Sequence, residues 1–128
     1  MRTNSQIEEF KFADNVFGFM IHKQLCERVY DDLQERMLRA IKQSKRINIY
    51  LEDLSGKPPK FKVLNRDFKF KLSHQDSFDR VAIVTHNRSL INYAKLKDHF
   101  MAAEIKTFRS QQRVEALSWI SEVPSHRH

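Results

Sequence analysis

The sequence feature that most constrains the fold is the run Val81–Val84, four apolar residues with no polar residue among them. A strand with one face in solvent alternates apolar and polar residues, so an unbroken apolar run predicts a strand that is covered on both faces. Such a strand lies inside a sheet that carries helices on its two sides. The run therefore predicts an α/β protein with a mostly parallel sheet.

Weaker patterns on either side of this run predict the other elements in chain order. Alternating apolar residues around a tight Asp-Asn turn indicate an antiparallel hairpin of Ile7–Phe12 and Val16–Ile21. Apolar residues at a three-four spacing indicate helices, and short β-branched runs indicate strands. Before the central strand, these patterns predict a helix over Lys23–Gln43, a strand over Arg46–Glu52 and a helix starting near Pro59. After it, they predict a helix capped by Thr85 or Asn87 that carries Leu90, Ile91, Tyr93, Ala94 and Leu96. A strand over Glu104–Phe108 follows, and then a last helix capped by Ser110, with Val114, Leu117 and Ile120 inward.

The element order β-β-α-β-α-β-α-β-α predicts a single α/β domain over residues 1–128, with an ordered core from about residue 7 to residue 122. The hairpin supplies the antiparallel part of a mixed sheet, and helices cross over between the parallel strands. A hydrophobic content of 41% is enough to bury one core of this kind. Ligands in such sheets bind at the carboxyl ends of strands, which here are the loop Asp53–Pro59 and the turn Thr85–Asn87.

The net positive charge of the chain limits the kinds of partner that it is expected to bind. A formal charge of +7 and a pI near 9.7 predict affinity for a polyanion, which means nucleic acid, anionic lipid or an acidic protein. No helix-turn-helix, RNP-like or zinc motif is present, so nucleic acid ranks below lipid or a protein partner. A single cysteine, Cys26, and the lack of an apolar leader both favour a cytoplasmic location.

No motif predicts catalysis, a bound metal or a cofactor. The histidines lack the His-x-x-x-His spacing of metal sites, and there is no glycine-rich phosphate loop or Gly-x-Ser-x-Gly motif. Only His86, at the end of the central strand, is in a typical functional location, and without a named partner it is better explained as a loop residue beside a helix cap. The sequence is therefore interpreted as that of a non-enzymatic protein.

The segment from residue 59 to residue 73 is the part of the chain most suggestive of function. Its main apolar stripe, expected to face the core, consists of Phe61, Leu64, Phe68 and Leu72. The stripe is flanked by Lys60, Lys62, Arg66, Lys69 and Lys71. Val63 and Phe70 fall outside the stripe, where apolar side chains among lysines suit insertion at an anionic membrane surface. An ordinary core helix with a solvated basic flank explains the same pattern, and both interpretations stay open here.

The loop that precedes this helix allows three interpretations. It could be a phosphate-accepting switch at Ser55, a hinge for a lid, or a plain strand-to-helix connection. A Ser-Gly turn followed by two prolines is typical of a connection. As a hinge, Gly56 would absorb the backbone change while Pro58 and Pro59 keep the helix intact.

Two segments resemble a known family. They are FKFKLSHQDSFDRVAIVTHNRSLINYAKL and EIKTFRSQQRVEALSWI. They resemble the SpoIIAA-like proteins, small bacterial relatives of STAS domains, in which a pattern hxxhxRhAhVxxxxxhxxhxxL (h apolar) precedes an EhrxF strand and an EALxWL helix. The matching residues are Phe78, Arg80, Val81, Ala82, Ile83, Val84, Leu90, Glu104, Ile105, Phe108, Glu115, Ala116, Leu117, Trp119 and Ile120. The resemblance covers the chain from Val16 onward and implies a STAS-like fold.

The resemblance also bears on the loop and the helix after it. The segment Asp53–Gly56 is similar to the strand end of STAS-type anti-sigma factor antagonists, in which a later serine at a helix N-terminus is phosphorylated. Ser55 matches the earlier, strand-terminal serine, and Lys57–Lys60 holds no counterpart of the phosphorylated one. The fold is also similar to CRAL-TRIO lipid-transfer domains, in which a mobile helix gates an apolar cavity. The resemblance thus implies a nonpolar ligand or a membrane contact.

We therefore expect a non-enzymatic module that binds a nonpolar ligand or lipid, or that associates with an anionic membrane, through a mobile helix over residues 59–73. The expected contacts are Lys60, Phe61, Lys62, Leu64, Phe68, Lys69, Phe70 and Lys71, and the expected hinge is Ser55, Gly56, Pro58 and Pro59. No catalytic residue, metal or cofactor is expected. The alternative is a protein-interaction module, as a homodimer or with a regulator partner and without a phosphoswitch. The expected location is the cytoplasm, at the inner membrane surface when bound.

Overall fold

A five-stranded mixed sheet forms the centre of the protein in the computed structural model, which describes residues 6–122. The strands are β1 (Ile7–Ala13), β2 (Val16–Ile21), β3 (Ile47–Asp53), β4 (Phe78–Val84) and β5 (Glu104–Phe108), and they lie in the order β1-β2-β3-β4-β5. β1 pairs with β2 antiparallel, and all other neighbours are parallel. This arrangement confirms the predicted mixed sheet with an N-terminal hairpin.

Four helices cover the sheet, namely α1 (Glu27–Ser44), α2 (Phe61–Ser73), α3 (Arg88–Phe100) and α4 (Arg113–Ile120). Parallel strands that follow one another in both chain and sheet order, joined by right-handed crossovers, place their crossover helices on one face. The core divides accordingly: Ile49 and Ile83 pack with α1, α2 and α3, while Ala82 packs with α4 on the opposite face. The run Val81–Val84 is buried throughout, as predicted for a strand covered on both faces.

The helix ends confirm one predicted cap and correct another. The Asn87 side chain accepts hydrogen bonds from the backbone N–H groups of Ser89 and Leu90 and so caps α3. Ser110 instead begins a short 3-10 turn, Ser110–Gln112, and α4 starts at Arg113 without a side-chain cap. The inward placement of Val114 was wrong, because the buried face of α4 is formed by Ala116 and Ile120 and Val114 lies away from it, 80% exposed. Within residues 6–122, no helix combines the length and apolarity that crossing a membrane requires.

Candidate functional site

Helix α2 lies over the sheet with a different face inward from the one its apolar pattern predicts. Its buried residues are Val63, Asp67, Phe70 and Lys71. The predicted core stripe faces outward, with Phe61 79% and Leu72 36% exposed and with Leu64 and Phe68 half-buried. At 3.6 residues per turn the two faces are roughly 120° apart. The core-facing assignment was therefore wrong for Phe61, Phe68 and Leu72, whereas Leu64 does pack against the core. The outward placement of Val63, Phe70 and Lys71 was wrong as well.

Two charged residues explain why the pattern misled. Asp67 and Lys71 are one helical turn apart, and their charged atoms meet inside the protein at 3.0 Å. A periodicity argument assigns such residues to solvent, because unpaired charges are almost never fully buried. Paired with each other and with residues of the neighbouring helices, they can lie against the sheet. The more apolar stripe is then left for the outer surface.

Asp67 is the centre of a buried polar cluster that joins three helices. Its Oδ1 accepts hydrogen bonds from the Tyr30 hydroxyl of α1 at 2.5 Å and from Lys71 Nζ at 3.0 Å. Its Oδ2 accepts from the Tyr93 hydroxyl and from Lys97 Nζ, both of α3, at 2.6 Å and 2.8 Å. We call these five residues the Asp67 cluster. Two ammonium groups and two hydroxyls thus converge on one carboxylate.

The cluster perturbs the ionisation of its members. Burial alone would raise the pKa of Asp67, but the charges of Lys71 and Lys97 outweigh it and hold that pKa well below its usual range. Burial lowers the pKa of Lys97 to about 7, opposed by the charge of Asp67. Burial, together with the Asp67 charge, raises the pKa of Tyr30 and of Tyr93 well above the ordinary value. At neutral pH the carboxylate is ionised and both tyrosines keep their protons.

A small cavity of about 30 Å³ adjoins the cluster. Its wall is mostly apolar and includes Leu33, Met37 and Ile49, but it also contains Asp67 and Lys97. A volume of this size holds about one water molecule. The charged groups therefore face a space that is enclosed by side chains of the core.

A larger groove lies on the outer side of the same region, between α2 and α3. It measures about 380 Å³ and is lined by Phe61, Leu64, Asn65, Phe68, Ser89, Asn92, Tyr93 and Leu96. Leu64 and Tyr93 also line the inner cavity, so these two side chains separate the groove from the Asp67 cluster. The groove and the cavity therefore lie on the two sides of the Leu64 and Tyr93 side chains.

An apolar surface continues from the groove across both helices. Phe61 is 79%, Leu96 54% and Phe100 58% exposed, and the rings of Phe68 and Phe100 meet edge to face at 6.3 Å. Exposed lysines on or next to the two helices are Lys57, Lys60, Lys62, Lys69 and Lys95, and none of them forms an ion pair with another residue of the range 6–122. We call this region, with its groove, the α2–α3 surface. It presents aromatic rings and free positive charge side by side.

The loop before α2 is held by hydrogen bonds at both ends. The Ser55 hydroxyl donates to Asp53 Oδ1 at 2.8 Å, and the side chain of Gln24 donates to the Pro58 carbonyl at 2.7 Å. Gly56 has a φ of 72°, in the left-handed region that glycine adopts without strain. The helix begins at Phe61, so both prolines precede its first turn, and the predicted start near Pro59 was two residues early.

The carboxyl ends of β3 and β4 meet as the strand order predicts. Thr85 Oγ1 donates to Asp53 Oδ2 at 3.2 Å, which joins the two loops that were proposed as a ligand edge. His86 is exposed and lies 2.6 Å from the Ser110 hydroxyl. Within residues 6–122, no three His, Cys, Asp or Glu side chains come together in a way that could hold a metal ion. This edge is a hydrogen-bonded junction of loops.

The structure brings part of the predicted site together. Phe61, Leu64 and Phe68 converge on the groove, and Lys60, Lys62 and Lys69 surround them, whereas Phe70 and Lys71 lie inside the protein. Sequence reasoning missed the contribution of α3 and all of Tyr30, Asp67, Tyr93 and Lys97. A signal for the cluster was present in the four-residue spacings Asp67-Lys71 and Tyr93-Lys97, which put each pair on one helical face.

Comparisons with known proteins agree with this fold. The SpoIIAA-like family model matches residues 16–121. A crystal structure of an uncharacterised DUF3478-family protein with a SpoIIAA-like fold, from Shewanella loihica PV-4, is similar over 94% of this chain and 98% of its own length, with a TM-score of 0.68. The two sequences are 20% identical, so this likeness concerns the fold alone. No curated protein matches the chain.

Proposed function

This chain belongs to the SpoIIAA-like family, and we propose that it is a non-catalytic lipid-binding module whose α2–α3 surface associates with anionic membranes and takes an apolar chain into its groove. The observation that carries this proposal is the outward turn of the apolar stripe of α2. Phe61 and Phe68 lie beside Leu96 and Phe100 of α3, bordered by free lysines. Aromatic rings next to basic residues are the pattern of helices that bind in the membrane interface.

The expected strength of binding follows from the exposed charges. Each lysine near an anionic bilayer contributes on the order of 1 kcal/mol, so the four lysines at positions 60, 62, 69 and 95 give roughly 4 kcal/mol. Insertion of the rings adds an apolar term that salt does not screen. Lys71 adds nothing, because it is buried against Asp67. Binding is therefore expected to be reversible and to weaken as ionic strength rises.

Vesicle flotation tests the proposal directly. The protein is mixed with neutral or with phosphatidylserine-containing vesicles, at low and at high salt. We expect flotation with the anionic vesicles at low salt and its loss in the variant with Lys60, Lys62, Lys69 and Lys95 changed to Glu. The reason is that this variant reverses the charge around the apolar rings without touching the core.

A charge-matched control keeps the test specific. Changing Lys42, Lys45, Lys106 and Arg109 to Glu alters the net charge equally, at exposed positions on other elements. This control is expected to float like the unmodified protein. If both variants float, or if neither does, the α2–α3 surface is not the contact.

Lipid should also change hydrogen exchange in residues 54–72, and unchanged exchange there would argue against a hinge at Gly56.

The same rings support a second candidate function. Large exposed aromatic residues are typical of the centres of protein interfaces, and Phe61 and Phe100 are both more than half exposed. A homodimer or a complex with a regulator would cover them. Sedimentation in which the apparent mass rises with protein concentration, and stays monomeric for the Phe61→Ser variant, would favour this candidate over membrane association.

A further inference from the structure

When Lys71 and Lys97 are both protonated, the Asp67 cluster contains two positive charges and one negative charge. Lys71 and Lys97 both point at Asp67, and no other carboxylate takes part in their hydrogen bonds within residues 6–122. An ammonium group has three N–H donors. Lys97 directs one of them to Asp67 Oδ2, although its side chain is only 2% exposed. The cluster is thus short of one anion, in a place that water scarcely reaches.

The spare donor capacity lies next to the enclosed cavity. Lys97 lines that cavity with mostly apolar residues such as Leu33 and Met37. The other polar groups of the wall, those of Tyr30, Lys71 and Tyr93, are already directed at Asp67, which is the only carboxylate there among residues 6–122. On the outer side, Tyr93 and Leu64 line both the cavity and the groove of the α2–α3 surface. A molecule lying in the groove could reach the Lys97 ammonium by displacing the Leu64 side chain.

From this arrangement, and resting on the proposed function, we propose that the groove binds an amphiphile with a carboxylate head group, and that this carboxylate pairs with Lys97 while the hydrocarbon chain lies between α2 and α3. One monovalent anion neutralises the excess charge of two ammonium groups over one carboxylate. The apolar lining of the groove, which includes Phe61, Phe68 and Leu96, suits the chain. The protein would then recognise long-chain carboxylates, the chemical class of fatty acids.

The size of the cavity favours a carboxylate over a phosphate. At about 30 Å³, the cavity is close to the size of one water molecule, so only the smallest head group can enter beside Lys97. A planar carboxylate is the smallest anionic head that lipids carry, whereas a phosphodiester brings four oxygens and a second substituent. The excess of one positive charge, from Lys71 and Lys97 over Asp67, is also neutralised by the single charge of a carboxylate, whereas a dianionic phosphate would bring two.

Calorimetry with three twelve-carbon probes tests this inference. Dodecanoate, dodecanol and dodecyl phosphate share the chain and differ in the head group, and each is used below its micelle concentration. We expect dodecanoate to bind roughly tenfold more tightly than dodecanol, which corresponds to one favourable charged contact. Equal affinity for the two, or tighter binding of dodecyl phosphate, would overturn the carboxylate assignment.

Two variants separate the charge from the fold. Lys97→Met keeps a long apolar stem and removes the spare ammonium, so it should bind dodecanoate and dodecanol alike. Lys42→Met makes the same change at an exposed position of α1, outside the α2–α3 surface, and should keep the preference. Thermal unfolding checks that both variants are folded. A preference for dodecanoate that survives in Lys97→Met would refute the role of Lys97.

The outcomes also distinguish this inference from the proposed function. Binding of dodecanol without any preference for the carboxylate leaves the apolar groove in place and removes the inference alone. If neither probe binds, the inference fails together with the uptake of an apolar chain by the groove, whereas membrane association is judged separately by vesicle flotation. A spectroscopic readout adds an independent check: with ¹³C-labelled lysine, dodecanoate should raise the pKa of Lys97 from its value of about 7, because a nearby carboxylate favours the ammonium form. An unchanged Lys97 titration at saturating dodecanoate would contradict direct pairing.

Discussion

Unequal effects on stability are expected when the negative charge of Asp67 and the positive charge of Lys97 are removed one at a time. Asp67→Asn leaves Lys71 and Lys97 side by side without an anion, in a buried site. Removing one partner of a buried ion pair costs about 3–5 kcal/mol, because the remaining charge stays uncompensated. We therefore expect Asp67→Asn to lower the free energy of unfolding by that amount.

Lys97→Met should behave differently. It leaves Asp67 and Lys71 as an ion pair of one negative and one positive charge. It also removes the buried amine of Lys97, whose pKa is lowered to about 7 chiefly by burial. A replacement of similar volume in a core usually costs less than about 1.5 kcal/mol, and here the loss of an unfavourable charge offsets part of it. At pH 6.5 this variant should therefore lie within about 1.5 kcal/mol of the unmodified protein.

The difference in free energy of unfolding between the unmodified protein and Lys97→Met should depend on pH. Between the folded pKa of about 7 and the ordinary value of 10.5, the unfolded chain binds the Lys97 proton and the folded protein does not. The free energy of unfolding rises with pH wherever the unfolded state binds more protons. Between pH 7.5 and pH 9.5, that of the unmodified protein should therefore increase relative to that of Lys97→Met by about 1 kcal/mol per pH unit. Below pH 7 this gain is absent.

Urea unfolding followed by the fluorescence of Trp119 measures all three proteins. Trp119 is the single tryptophan and packs on the opposite face of the sheet from the cluster, so the substitutions do not alter the probe directly. Linear extrapolation then gives the free energies at each pH. Lys95→Met is the control and should show no pH-dependent difference. A cost of less than about 1 kcal/mol for Asp67→Asn would refute the role of Asp67 in neutralising the two lysines. Free energies of unfolding that change with pH in the same way for Lys97→Met and the unmodified protein would refute the lowered pKa of Lys97.

Two further predictions concern α2 and the loop before it. Phe70→Ala should cost about 3–5 kcal/mol in the same unfolding assay, because it empties a core position, whereas Phe61→Ala should change stability by less than about 0.5 kcal/mol. A larger cost for Phe61→Ala than for Phe70→Ala would mean that α2 is turned the other way. Gly56→Ala should cost about 1 kcal/mol, because alanine is strained at a φ of 72°. No loss of stability in this variant would show that the loop does not need a left-handed residue there.

Much of the fold was predictable, because the sheet is specified by local patterns. The run Val81–Val84, the alternation in the hairpin and the capping residue Asn87 each act over a few residues, and each leads to an element that the structure contains. The order of the elements then limits the topology, since right-handed crossovers allow few arrangements. Helix starts were predicted less well, because α2 begins at Phe61 and α4 at Arg113, each some residues after its expected start.

The face of α2 was not predictable by the same means. Its inward face depends on Tyr30, Tyr93 and Lys97, which lie 26 to 37 residues away in sequence from Asp67. Periodicity compares the residues of one helix with each other and contains no information on partners from other helices. Phe61 and Leu72, which look like core residues, are left outside because Asp67 and its partners occupy the inner position. The exposed rings and the buried charges thus have a common cause.

The Asp67 cluster also sets a condition on any lid motion of α2. Three of the hydrogen bonds to Asp67 come from outside α2, from Tyr30, Tyr93 and Lys97, and a swing about Gly56 has to break them. Hydrogen bonds to a charged group contribute about 1.5–3 kcal/mol each, so the closed arrangement is strongly favoured unless water or a ligand supplies new partners. A ligand carboxylate would supply one of them by accepting from Lys97. Under this reasoning a neutral chain alone opens α2 less readily than a chain with an acidic head, so the selectivity for carboxylates and the opening of α2 depend on the same lysine.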